Sequence, residues 1–104
     1  MANIQRGEIS AIIEGETKTL CLTLGALAEL EARLMAGDLV GLAERFASGR
    51  VSARDLTAII GAGLRGGGNA VTDDDLARMA IEGGLKGAAD IAARLLRAAF
   101  GETA

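Results

Sequence analysis

Residues 51–68 read VSARDLTAIIGAGLRGGG, and the meaning of this stretch decides the fold. Gly61, Gly63 and Gly66 spell G-x-G-x-x-G after two isoleucines. That spacing cradles a dinucleotide when a strand runs into the glycines and a helix opens at them. The flanks contradict this arrangement. Ser52 and Asp55 make the S-x-x-D of a capping box, and Leu56, Ile59, Ile60 and Leu64 recur at helical spacing, so the glycines stand at the end of a helix. Downstream, the next start signal is Thr72 with Asp75, and Asp73, Asp74 and Asp75 together would repel a phosphate. No acidic residue about 20 positions on ends a second strand. Residues 66–68 therefore read as a helix stop and a loop, and no nucleotide site is expected.

Working toward the N-terminus, GEISAIIEGETKTLCL (7–22) changes period. Ile9, Ala11 and Ile13 alternate with polar neighbours, Glu14-Gly15 is a turn signal, and Lys18, Leu20 and Leu22 alternate in return, which describes a β-hairpin. Two strands alone are marginal in water, so the hairpin must lie on the helices or join a neighbouring subunit's sheet. From Thr23 the period becomes 3.6, with Leu24, Leu27, Leu30 and Leu34 on one stripe and Gly37 as the stop. A second helix is expected from an Asp38 cap through Leu39, Leu42, Ala43, Phe46 and Ala47 to Ser48-Gly49. The third is the Ser52 segment. A fourth runs from the Thr72 cap through Leu76, Met79 and Ala80 to Gly83-Gly84, with Val71 as a hydrophobic staple, and a fifth is GLKGAADIAARLLRAAFG (84–101). The expected architecture is α+β and mostly helical: one domain over 1–104, a hairpin in 1–22 packed on a bundle of about five short helices in 23–101.

Composition narrows the function. The chain has 104 residues, room for one domain, and with aromatics at 2% its core must be built from Leu, Ile, Val and Ala. Net charge is -3 with the 11 basic residues scattered, which disfavours nucleic acid. One cysteine, Cys21, and no histidine leave no Cys/His metal site, no internal disulfide and no Cys-His nucleophile, so a reducing cytoplasm is the expected setting. Arg6, Glu8, Glu14, Glu16 and Lys18 interrupt residues 1–22, so neither a signal peptide nor a membrane span is expected.

The clustered side chains each have an ordinary explanation. Asp73, Asp74 and Asp75 lack the alternation and distal Glu of a calcium loop, and acidic residues in a first helical turn are stabilised by the helix dipole. Glu29 and Glu31 project about 200° apart on a helix, too splayed for an acid and base pair. Cys21, in a strand beside leucines, reads as a small core residue. A helix-turn-helix built on the third and fourth helices would open with three aspartates facing DNA. No catalytic, cofactor-binding or metal-binding residue is expected, and an enzyme is the disfavoured alternative.

The fifth helix is more informative. At about 100° per residue, Lys86, Asp90, Arg94 and Arg97 share a narrow sector, while Leu85, Ile91, Leu95, Leu96 and Phe100 spread over roughly 180°. Either the helix is central and buried on two sides, or one flank near Leu96 and Phe100 faces a partner. Leu96, Phe100 and Leu85 are the candidate partner-binding residues. Lys86, Asp90 and Arg94 also allow two i,i+4 charge pairs on a solvated face.

The run TLCLTLGALAELEARL (19–34), followed by DLVGLAERFASGRVSARDLTAIIGAGLRGGG (38–68) and LLRAAFG (95–101), resembles a family of gene transfer agents and tailed prophages. Its members are known as tail tube proteins or tail assembly chaperones. The resemblance covers nearly the whole chain and includes the order of hairpin, Leu-rich helix, FASG break and Gly-rich break. It implies a non-enzymatic role in building a phage-like tail, with the tape measure protein or other tail proteins as partners. A homo-oligomer is a separate expectation, resting on a two-stranded hairpin that needs a partner for at least one edge and on the apolar width of the fifth helix. A tail tube in known tails uses a broad β-sandwich, whereas a chaperone needs a compact helical body with an apolar surface. The composition favours the chaperone over the structural tube component, with a generic small helical adaptor third.

Overall fold

The structure is a computed structural model and describes residues 7–34, 41, 49 and 52–100. Strands β1 (Glu8–Ile13) and β2 (Glu16–Cys21) form a two-stranded antiparallel sheet. They are followed by α1 (Leu24–Leu34), α2 (Ala53–Gly66), α3 (Asp73–Ala77) and α4 (Gly84–Ala99). The class is α+β and mostly helical, as the change of period at Thr23 requires. Apart from Gly41, which is helical, the expected helix over 38–48 lies outside the described residues.

The hairpin follows its pattern closely. Glu14 and Gly15 both have positive φ, 57° and 75°, the two-residue turn whose twist matches that of the strands. This turn sets Ile13 opposite Glu16, Ala11 opposite Lys18 and Ile9 opposite Leu20. Ile9, Ala11, Ile13 and Leu20 consequently share one face and are buried on the helices. Cys21 points the other way and is half-buried, not a core residue as its leucine neighbours led one to expect.

Helix α2 is the hub, packing against α1, β2, α3 and α4. Ser52 starts it with a complete capping box, its hydroxyl accepting from Asp55 N–H at 3.1 Å and the Asp55 carboxylate accepting from Ser52 N–H at 3.2 Å. Every residue from 58 to 64 is buried, as a helix with neighbours all round demands. Its small residues fall where those neighbours come closest. A β-carbon on Gly63 would lie 2.7 Å from Leu95 Cδ1, and one on Gly67 would run into the Thr19 carbonyl.

Two expected elements differ in detail. Helix α1 is capped by Thr23, whose hydroxyl accepts from Ala26 N–H at 3.1 Å, and it buries Ala26 and Leu30, four apart. Leu24 was expected on that stripe but stands exposed. Helix α3 keeps its Thr72–Asp75 capping box but ends at Ala77, short of the expected Gly83-Gly84. Glu14 ends it: its N–H donates to the Ala80 carbonyl at 2.8 Å, and its carboxylate accepts from Ala80 N–H at 2.5 Å. Ile81 then pairs with Ile13, so residues 80–82 run beside β1 instead of winding on.

Candidate functional site

Between α2, α3 and the start of α4 lies an open groove of about 270 Å³. Leu56 and Ile60 of α2, Leu76 of α3 and Ala88 of α4 form its buried floor. Met79 and Ile81 close one side, and Leu85 stands on the rim with 69% of its surface exposed. The lining carries no titratable side chain. Its single hydroxyl, on Thr57, donates to the Ala53 carbonyl at 2.9 Å. Such a surface offers an apolar side chain a place to bury and offers a substrate no acid, base or nucleophile.

The candidate residues on α4 are not brought together. Leu96 is 5% exposed and belongs to the core with Ile91, Ala92 and Leu95, so the expectation that it faces a partner is corrected. The reason is that α4 lies across both α2 and the hairpin, which buries a wider arc than one contact would. Phe100 is 45% exposed at the far end of the helix, roughly 22 Å from Leu85 at 1.5 Å per residue. Of the charged sector, Asp90 and Arg94 form their i,i+4 pair at 3.2 Å. Arg94 also donates to the Ser10 carbonyl at 3.1 Å, which ties the outer edge of β1 to α4.

A second cluster escaped sequence reasoning. Arg65 of α2 sits between Glu29 of α1 and Asp73 of α3, with Nη2 2.5 Å from Glu29 Oε2 and Nη1 3.0 Å from Asp73 Oδ1. Its Nη1 also donates to the Val71 carbonyl at 3.0 Å, and Arg33 pairs with the other Asp73 oxygen. Burial opposes the Arg65 charge, but the bonds to Glu29 and Asp73 outweigh it and raise the pKa above its ordinary value. The cluster binds three helices together. Two of the three adjacent aspartates are thus engaged in structure: Asp73 with the arginines, Asp75 in the cap. Among the described residues no group of His, Cys, Asp or Glu is placed to hold a metal ion, and no helix is long and apolar enough to cross a membrane.

Compared with protein families, residues 6–102 match the one described as Phage tail tube protein, GTA-gp10. No curated protein and no solved structure matches the chain. The family is structural and not enzymatic, and it works through contacts with other tail proteins. Because the matched span takes in every element from β1 to the end of α4, the chain belongs to the phage tail tube protein, GTA-gp10 family.

Proposed function

We propose that the protein acts without catalysis as a tail assembly chaperone, holding the tape measure protein until tube subunits polymerise around it in a gene transfer agent or prophage. The apolar groove carries this reading, since it offers contact area with no reactive group. Leu85 on its rim has the character of an anchor, an exposed aliphatic side chain beside a pocket, and Phe100 supplies a second contact at the other end of α4. The chaperone works in the cytoplasm of the producing cell, with protein partners, association between copies, and neither nucleic acid nor membrane.

A structural tube component is the second reading, favoured by the family's description. Against it stands the small sheet: among the described residues it has two strands, with residues 80–82 and Arg94 on one edge and the end of α2 on the other. Stoichiometry separates the two. Mass spectrometry of purified particles should find essentially no copies of a chaperone and many of a tube subunit. Co-expression with the tape measure protein should yield a complex in pull-down that Leu85→Glu weakens. Abundant copies in finished particles would establish the tube reading instead.

A further inference from the structure

Asn69, whose side-chain amide donates to the Thr19 and Leu64 carbonyls at 2.8 and 3.1 Å, and Val71, whose carbonyl accepts from Arg65, hold the chain to the end of α2. From there residues 72–83 run to the start of α4 by way of the hairpin turn, and polar contacts to other elements fasten them at two places. At the turn, Glu14 exchanges bonds with Ala80, and Glu82 N–H donates to the Ile12 carbonyl at 3.4 Å. At the other place, Asp73 sits between the Arg65 and Arg33 guanidiniums. A carboxylate needs room there, and Gly61 provides it. A β-carbon on Gly61 would collide with Asp73 Oδ1 and stand 3.2 Å from its Cγ and 3.3 Å from Arg65 Nη1. Gly61 lies inside a buried helix, where alanine is the better helix former, so the seat gives a physical reason for glycine at this position. Asp73 opens α3, a helix of 5 residues that is too short to persist unaided. The same segment supplies Ala77, Met79 and Ile81 to the groove wall and Leu76 to the edge of its floor.

We propose that residues 72–82 form a strap latched by the Asp73 carboxylate in its seat at Gly61, and that freeing this latch swings the wall outward and widens the groove while α2 stays folded. The strap is a property of the fold and holds whichever tail protein the groove receives.

Native-state hydrogen exchange on two variants of the full chain tests this. The reporters are the amides of Leu76, Arg78 and Met79, which donate to Thr72, Asp75 and Leu76 carbonyls at 3.0, 3.1 and 3.0 Å. Asp73→Asn removes the charge that the arginines hold. It also removes a negative charge from the start of α3, which alone would weaken that helix. Gly61→Ala keeps every charge, improves α2 as a helix and obstructs the seat. In both variants the three reporters should exchange about tenfold faster, with the amides of Ile60 and Leu64 unchanged. An apolar dye should bind more strongly to both variants than to the parent chain. The proposal is overturned if either variant leaves the reporters as protected as in the parent, or if α2 amides accelerate along with them.

Discussion

The carbonyl oxygen of Cys21 occupies the space that a β-carbon on Gly66 would need, so α2 and β2 meet backbone to backbone. Gly66→Ala must therefore push the helix off the sheet, at a cost of about 3 kcal/mol. Gly15→Ala provides the contrast. Nothing lies within 4 Å of its β-carbon position, and only the φ of +75° resists, which costs about 1 kcal/mol. Urea unfolding of the two variants should rank them in that order, and equal losses would mean that the close approach at Gly66 relaxes easily.

Leu96 and Leu85 lie on one helix with opposite exposures. Leu96→Glu buries a carboxylate without a partner and should lower stability by about 3 kcal/mol or more, enough to shift a thermal melt by several degrees. Leu85→Glu should melt within about 2 °C of the parent, because an exposed substitution costs a few tenths of a kcal/mol at most. A parent-like melt for Leu96→Glu would contradict its burial.

Acid should loosen the start of α3. The bond from Thr72 N–H holds the Asp75 carboxylate below its usual pKa, assisted by the Thr72 hydroxyl and the nearby Arg78 charge. A carboxyl group depressed in the folded state contributes its full stability above the unfolded value, near about 3.9, and loses it as pH falls through the lower folded value. Between about pH 5 and about pH 2 the melting temperature of the parent should therefore fall more steeply than that of Asp75→Asn. Parallel curves would show that the cap contributes nothing measurable.

Arg94→Ala should cost about 1 kcal/mol, since the side chain is half exposed and its pair with Asp90 is screened, leaving the bond to the Ser10 carbonyl as the larger part. Asp90→Ala removes only the screened pair and should cost less. A denaturation series on these two variants checks the order.

Local signals in the sequence were the reliable ones. The hairpin register follows from alternation on either side of Glu14-Gly15, and both capping boxes from residues three apart. What distance in sequence hides was not legible. Leu76, Met79 and Ala80 continue a helical spacing, and nothing nearby announces that Glu14, 66 residues earlier, takes Ala80. The Arg65–Glu29 contact spans 36 residues in the same way. On α4, periodicity put Leu96 and Phe100 on one flank but did not show the neighbours that bury one and leave the other at the surface. Gly61, Gly63 and Gly66 were readable as glycines, while the side chains and carbonyls that require them come from other elements.

The hairpin closes on itself within microseconds, yet its inner face has little to rest on at that moment. Glu14 finds its partner 66 residues later in the chain, and the arginine that reaches the Ser10 carbonyl comes 84 residues after it. At ~5–20 residues per second, a ribosome delivers those partners roughly several seconds after the turn has emerged. An element synthesised well before α4 is thus completed only when α4 arrives. Through that interval Ile9 and Ile13 remain open to water and to whatever protein is nearest.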